Sequence, residues 1–325
     1  MAHELEIIDG EAQMAYVGDV PWHGLGTKVS ADLSPQQIMV KAGLDWKVEK
    51  CPTFASKDGV DLIPTGGHAL LRSSDNKVLT QVGDGWNPVQ NETAFEFFNE
   101  YVMAGDMEMH TAGSLKGGRI VWALAKVKES FDILGEDQVD SYLLFSNPHQ
   151  YGKAVNVRFT PIRVVCNNTL SLSLASLSNN SINISHRSEF NPEQVKEAMG
   201  IAHEKFEKYR EICEFLSTKK FTMESLIGYY NDVFPRTYKG KNPPVVKSYS
   251  DLTTNAKKAF DCLETQPGAN YGEGTWWQAL NSITYMTDHL MGRSVDSRLS
   301  SSWFGANQVR KEKAVYKALE LAEVA

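Results

Sequence analysis

A chain of 325 residues, 42% hydrophobic and 22% charged, has the composition of a globular protein with a sizeable core. No apolar run approaches the roughly 20 residues that a membrane-spanning helix needs, and the length fits one large domain or two ordinary ones. A formal net charge of -7 excludes a surface that coats nucleic acid throughout but leaves room for a local basic groove. Met1-Ala2-His3-Glu4-Leu5-Glu6 is acidic and lacks the basic and apolar regions of a secretory signal, so the expected location is the cytoplasm. The four cysteines, Cys51, Cys166, Cys213 and Cys262, form no C-x-x-C pair and read as free, mostly buried thiols of a reducing compartment.

In chain order, the first half reads as β-rich. His68-Ala69-Leu70-Leu71-Arg72 and Lys77-Val78-Leu79-Thr80-Gln81-Val82 flank the turn-forming Ser73-Ser74-Asp75-Asn76, which predicts a hairpin. A helix follows, capped by Asn91 and running from Glu92 to Val102 with apolar residues at helical spacing. Strands are expected at Met107 to Ser114, at Arg119 to Lys126 beyond the Lys116-Gly117-Gly118 turn, at Ser141 to Ser146 and at Ala154 to Phe159. Thr160 and Pro161 then offer an N-cap and a first-turn proline, which predicts a helix over Ile162 to Leu177. The β-branched residues of Ile162-Arg163-Val164-Val165 also allow an extended start there. Ser176 to Ser188, rich in serine and asparagine, suits a connection or a short edge strand.

From Asn191-Pro192-Glu193, a strong helix start, the character changes. Val195, Met199, Ala202, Phe206, Tyr209, Cys213 and Leu216 alternate spacings of four and three. Such an apolar stripe packs inside the chain or forms a seam with another subunit. Further helices are expected at Met223 to Val233, Asp251 to Glu264, Gly274 to Leu290 and Asn307 to Glu323, with an exposed loop at Pro235 to Tyr249. The expected fold class is α+β: an antiparallel β-rich unit with packed helices over residues 1–188, followed by a helical unit over 189–325.

Motifs of catalysis are scarce. Gly24-Leu25-Gly26-Thr27-Lys28 lacks the spacing of a phosphate-binding loop, and there is neither H-E-x-x-H nor G-x-S-x-G. Trp22 and His23 read as a core anchor and a hydrogen-bonded loop residue rather than a stacking platform and a ligand. The eight histidines are scattered singly, which points to no metal site. Cys166 with His149 or His186 is a candidate nucleophile and base, set against the commoner reading of an apolar-flanked cysteine as core. No catalytic residue and no cofactor is assigned.

Charge segregation is the more informative signal. Residues 141–188 contain no Asp or Glu, while Lys153, Arg158, Arg163 and Arg187 leave the rest of the chain with a net charge of -11. The same stretch holds Asn147, Asn156, Asn167, Asn168, Asn179, Asn180 and Asn183, together with Phe145, Tyr151 and Phe159. Cations for phosphates, amides for backbone or base edges and aromatic faces for stacking are the components of a single-strand groove. They also suit a half-buried strand unit whose few charges face water. Arg310, Lys311, Lys313 and Lys317 behind Trp303 and Phe304 form either a second basic face or an ordinary solvated helix side.

Several ordered motifs, "VPWHGLGTKV", "GGRIVWALAKV", "TPIRVVCNNTL", "GTWWQALNSITYMTDH" and "SSWFGANQVRKEKA", resemble the phage/plasmid-like protein family, a domain of unknown function (932), from Gly18 to Leu319. The resemblance supplies no catalytic residue. It implies a mobile-element gene product in a bacterial cytoplasm, a setting of replication, recombination or counter-defence. The expected strands leading into a helix are also similar in order to the β-β-β-α core of phage single-strand annealing proteins, a topological likeness alone.

The functional expectation is therefore a single-stranded DNA binding or annealing protein acting as a homo-oligomer. Lys153, Arg158 and Arg163 would hold phosphates, Lys116 and Arg119 would extend the groove, and Asn167 and Asn168 would add polar contacts near a helix start. The alternative is a non-enzymatic factor, for counter-defence or assembly, whose helical half binds a phage or host protein.

Overall fold

The computed structural model describes residues 5–18, 25–163, 168–169, 181–187, 206–237, 245–292 and 295–324. Its elements begin with β1 (Ile7–Ile8), β2 (Glu11–Ala12), β3 (Met14–Tyr16), β4 (Thr27–Lys28), α1 (Pro35–Lys41), β5 (Val48–Ala55), β6 (Ile63–Arg72) and β7 (Val78–Val82). The short helices α2 (Asn91–Glu96) and α3 (Asn99–Ala104) precede β8 (Met107–Leu115), β9 (Ile120–Ile133), β10 (Asp137–Pro148), β11 (Val155–Arg163), β12 (Asn168–Thr169) and β13 (Ser181–Ile184). Helix α4, described over 206–218, opens the helical half. It is followed by α5 (Met223–Val233), α6 (Thr254–Thr265), α7 (Trp276–Tyr285), α8 (Val295–Phe304) and α9 (Ala306–Val324). Antiparallel sheets in the first half and helices in the second make the fold α+β. Among the described residues no helix is long and apolar enough to cross a membrane.

The chain packs as two units. One comprises Met1–Lys128, Tyr142–Arg158 and Ser181–Ala202, the other Glu129–Ser141, Phe159–Asn180 and His203–Ala325, so β9, β10 and β11 each change unit along their length. In the first unit the strands run β4-β3-β8-β9-β10-β11, with β13 paired to residues 155–158 of β11, beside a separate sheet β5-β6-β7. The expected hairpin is the β6–β7 pair, turned at 73–76, where Arg72 N–H donates to the carbonyl of Lys77 at 3.0 Å. Helix α1, absent from the sequence reading, starts at a capping box: Ser34 Oγ accepts from Gln37 N–H, Gln37 Oε1 accepts from Ser34 N–H, and Pro35 follows.

The single helix expected from Glu92 is two helices broken at Phe97 and Phe98. Phe95, Phe97 and Phe98 are all buried, and Phe97 and Phe98 both ring-contact Phe145. Adjacent residues on one regular helix point about 100° apart, so placing both rings on the same core requires the break.

The helix expected over Ile162 to Leu177 is overturned wherever that span is described. Residues 155–163 form one strand through Pro161, and Arg163 pairs with Asn168 and Ile162 with Thr169 in an antiparallel ladder. Pro161 stands between the ladder with β13 at 155–158 and the ladder with β12 at 162–163, where a residue without an N–H breaks no bond on that side. The β-branched residues prevail over the cap signal. The short edge strand expected within Ser176 to Ser188 is β13.

The second unit is built around α7, of which Trp276 through Thr284 are all buried. A helix buried all round must satisfy its polar side chains internally. Gln278 donates to the carbonyls of Leu263 and Ala269 at 3.2 and 2.8 Å, Trp277 Nε1 donates to Asp137 Oδ2 at 2.8 Å, and Ser282 Oγ meets the Tyr230 hydroxyl at 2.6 Å. The described part of the apolar stripe, Phe206, Tyr209, Cys213 and Leu216, is buried in this unit, with Phe206 against Phe131 and Phe159. That is the inward alternative for these residues; Val195, Met199 and Ala202 lie outside the described residues.

Candidate nucleic-acid interface

Within the first unit the β8–β9 turn, Lys116 to Arg119, and the β10–β11 turn, from His149 to Lys153, come to the same end of the sheet. The meander requires this, because alternate turns of antiparallel strands share an end. The two turns are joined directly: His149 N–H donates to the carbonyl of Arg119 at 2.9 Å. Arg119 and Lys153 are exposed, Lys116 is half-buried, and Arg119 Nε bonds the Lys116 carbonyl at 3.0 Å. Three of the predicted cations are thus brought together.

The β8–β9 turn is tight and braced from beneath. Lys116, Gly117 and Gly118 all have positive φ, and a Cβ at Gly118 would lie 2.9 Å from Arg72 Nη1. Arg72 is buried; it pairs with Glu6 at 2.7 Å, forks onto Asp75 at 2.9 and 2.6 Å and sits 5.5 Å from the centre of the Trp46 ring. The bonds to Asp75, opposed by burial and reinforced by Glu6, raise its pKa, so this cation is permanent. Ser114 Oγ and Lys77 Nζ also meet Glu6, at 3.0 and 3.4 Å, which leaves that carboxylate fully engaged below the turn.

Behind the other turn lies a buried polar cluster that sequence spacing did not reveal. Asn91 Nδ2 donates to the Leu44 carbonyl, so its Oδ1 is the acceptor for His149 Nε2–H at 2.9 Å. His149 is fully buried and uncharged at neutral pH: burial, with a smaller contribution from His186, pulls its pKa down to about 3. Asn147 Nδ2 donates to the Val89 carbonyl at 2.8 Å, and Trp46 meets the His149 ring edge-on at 5.3 Å. Nearby, His186 stacks on Trp86 at 4.1 Å and bonds the Asn87 carbonyl, while burial lowers its pKa as well. His149 and Asn91, like Asn147 and Val89, are 58 residues apart in sequence, so no local pattern announces them.

The remaining predicted residues are placed elsewhere. Arg158 is half-buried on β11, its Nε bonded to Asn156 Oδ1 at 2.8 Å, and Asn156 Nδ2 reaches Asn183 Oδ1 on β13 at 2.7 Å. Arg163 and Asn168 face each other in the β11–β12 register, so the helix start that Asn168 was to flank is a strand. Asn167 lies outside the described residues, as do Cys166, Trp22 and His23. Of the aromatics, Phe145 and Phe159 are buried core residues, whereas Tyr151 is 62% exposed in the β10–β11 turn. Among the described residues, no group of three or more His, Cys, Asp or Glu is arranged to hold a metal ion.

The late basic helix is largely committed inside the second unit. Lys311 is buried and donates to Asp288 Oδ1 at 2.7 Å, which also accepts from Ser302 Oγ at 2.6 Å. Asn307 Nδ2 donates to the Thr287 carbonyl at 2.9 Å. Lys317 pairs with Asp232 and Glu320, and Arg310 bonds Asn307. Only Lys313 of this group is exposed, so "SSWFGANQVRKEKA" serves to lock α8 and α9 onto the end of α7.

The class defined by these features is an α+β protein whose antiparallel sheets precede a bundle around one buried helix. The family model described as "Domain of unknown function (DUF932)" matches residues 78–314, and the chain belongs to that family. No curated protein and no solved structure gives a significant match.

Proposed function

We propose that this chain is a single-strand DNA binding and annealing protein of a phage or plasmid, working as an oligomer in a bacterial cytoplasm without a covalent step of its own. The observation that carries the reading is the junction of the two turns, where Lys116, Arg119 and Lys153 collect at one sheet end beside exposed Tyr151. Phosphate-backbone binding needs such cations in water-accessible positions on a rigid mount, and annealing needs only that two strands lose their mutual repulsion while bases stay free. The support is electrostatic and steric rather than topological. Arg158, in the same unit, remains a candidate contact of that strand, and Arg163, Asn167 and Asn168 remain candidate nucleic-acid contacts of the second unit.

The experiment is a titration of fluorescent single-stranded oligonucleotide across a salt series, with duplex of equal length as the control. Single-strand affinity that falls steeply with salt supports the reading. Absence of binding at low salt removes it.

A second reading, a factor that binds a phage or host protein, draws on the β5–β6 hairpin, where Val60, Leu62 and Ile63 are 85%, 70% and 52% exposed. The described stripe of α4 is buried, so this reading moves from the helical half to the hairpin. A nuclease-resistant complex from infected cells that disappears with Val60→Asp and Leu62→Asp is its signature.

A further inference from the structure

The sheet β5-β6-β7 of the first unit carries a cleft of about 340 Å³ whose walls include Phe54 and Tyr151. Both are large aromatic side chains left half open to water, at 50% and 62% exposure. Single exposed aromatics are ordinary, but two lining one concavity make an unfilled apolar slot. A register shift between Pro52 and Phe54 accompanies the placing of Phe54: Pro52 pairs with His68 but Phe54 pairs with Pro64, so β6 bulges opposite Thr53. Bulges of this kind redirect a side chain from the regular pleat.

The floor is small and polar. Thr53 Oγ1 and Thr65 Oγ1 are 2.5 Å apart, and Gly67 N–H donates to Thr65 Oγ1 at 3.3 Å. A Cβ at Gly67 would come within 3.2 Å of Thr53 Oγ1, so glycine keeps the floor low. Gln81 adds an amide to the lining. Tyr151 also stands two residues before Lys153, which joins the slot to the basic sheet end. A volume at the lower end of the range for small-ligand sites suits a single planar ring system rather than a paired base step.

We infer that this cleft is a stacking subsite for one unpaired nucleobase, held between Phe54 and Tyr151 while Lys153 takes the adjoining phosphate. The inference rests on the single-strand reading of the basic turns and supplies the base contact that charge alone lacks. Aromatic faces accept every base, and the Gln81 amide offers a donor and an acceptor to its edge, while Thr53 Oγ1, its proton given to Thr65 Oγ1, offers an acceptor.

The test uses the full chain and two strands of equal length and charge, an oligothymidylate and its abasic tetrahydrofuran counterpart. Stacking one base is worth about 1–3 kcal/mol by alanine substitution, so the expected preference for the base-bearing strand is about 5- to 150-fold. Tyr151→Ala and Phe54→Ala, checked for native circular dichroism, abolish that preference without changing affinity for the abasic strand, and Tyr151→Trp keeps it. Equal wild-type affinity for the two strands overturns the subsite while leaving the DNA reading intact. So does an equal loss on both strands in the variants. Binding of neither strand at low salt overturns the DNA reading, and the subsite with it.

Discussion

Protonating an imidazole that has no access to water is costly, and His149 is fully buried with its Nε2–H already given to Asn91. Its folded pKa of about 3 lies below the unfolded value, so between the two the unfolded chain binds more protons. Its contribution to stability is therefore complete above pH 6.5 and is lost as pH falls toward 3. Urea unfolding at pH 7 and pH 5 should differ by about 2 kcal/mol on this account. In His149→Gln, which has no proton to gain, the difference shrinks; an unchanged slope would place the acid sensitivity in other residues. Lys311 is a different case, a buried ammonium paired with the buried carboxylate of Asp288 at 2.7 Å. Lys311→Ala strips Asp288 of this cation and should cost about 3–5 kcal/mol. Replacing Lys311 and Asp288 together by Met and Leu should cost less than the sum, which a double-mutant cycle in denaturant measures.

At the scale of elements, the β8–β9 turn and helix α7 are the parts with least tolerance. Gly118 has φ +89° and no room for a Cβ against Arg72, so Gly118→Ala should lower stability by more than 1 kcal/mol, read from the denaturation midpoint. The same variant should weaken single-strand binding if the turn presents Lys116 and Arg119. Trp277→Phe removes an indole donor from the buried Asp137 carboxylate and should cost about 1–3 kcal/mol. Periodicity makes these helices legible: it predicts α5 with its observed bounds and α6 and α9 within a few residues, and the span expected to end at Leu290 is α7 continued by a π-helical turn over Met286–Leu290. It failed where a tertiary demand opposed a local signal. Thr160-Pro161 has the chemistry of a helix start, yet strand pairing of residues 155–163 continues through it, and the Phe97-Phe98 break follows from two rings sharing one core. Helix α8 has little signature in the sequence, since serine-rich Ser300 to Ser302 carries weak helical propensity and the helix is held by Ser302 bonding Asp288.

For the whole molecule, the prediction concerns how charge is shared over a surface that is acidic in sum. Each cation removed from a single-strand site should reduce the slope of log affinity against log salt by about 0.7, so Lys116→Ala, Arg119→Ala and Lys153→Ala combined should flatten it by about 2. Light scattering of the DNA-free and DNA-bound protein then tests the oligomer. The sequence by itself determined the strands from Met107 to Phe159, the helices α5, α6, α7 and α9, the hairpin at 68–82 and the segregation of charge, because each is written in neighbouring residues and short periods. Only the tertiary structure decided which charges face water. It sank Lys311 into an ion pair with Asp288, tied Arg158 to Asn156 and left Arg119 and Lys153 exposed on adjoining turns. It also assembled His149, Asn91 and Asn147, and set Phe54 beside Tyr151, from residues dozens to nearly a hundred positions apart. Such groupings come from strand register and packing, which carry no signature in local composition.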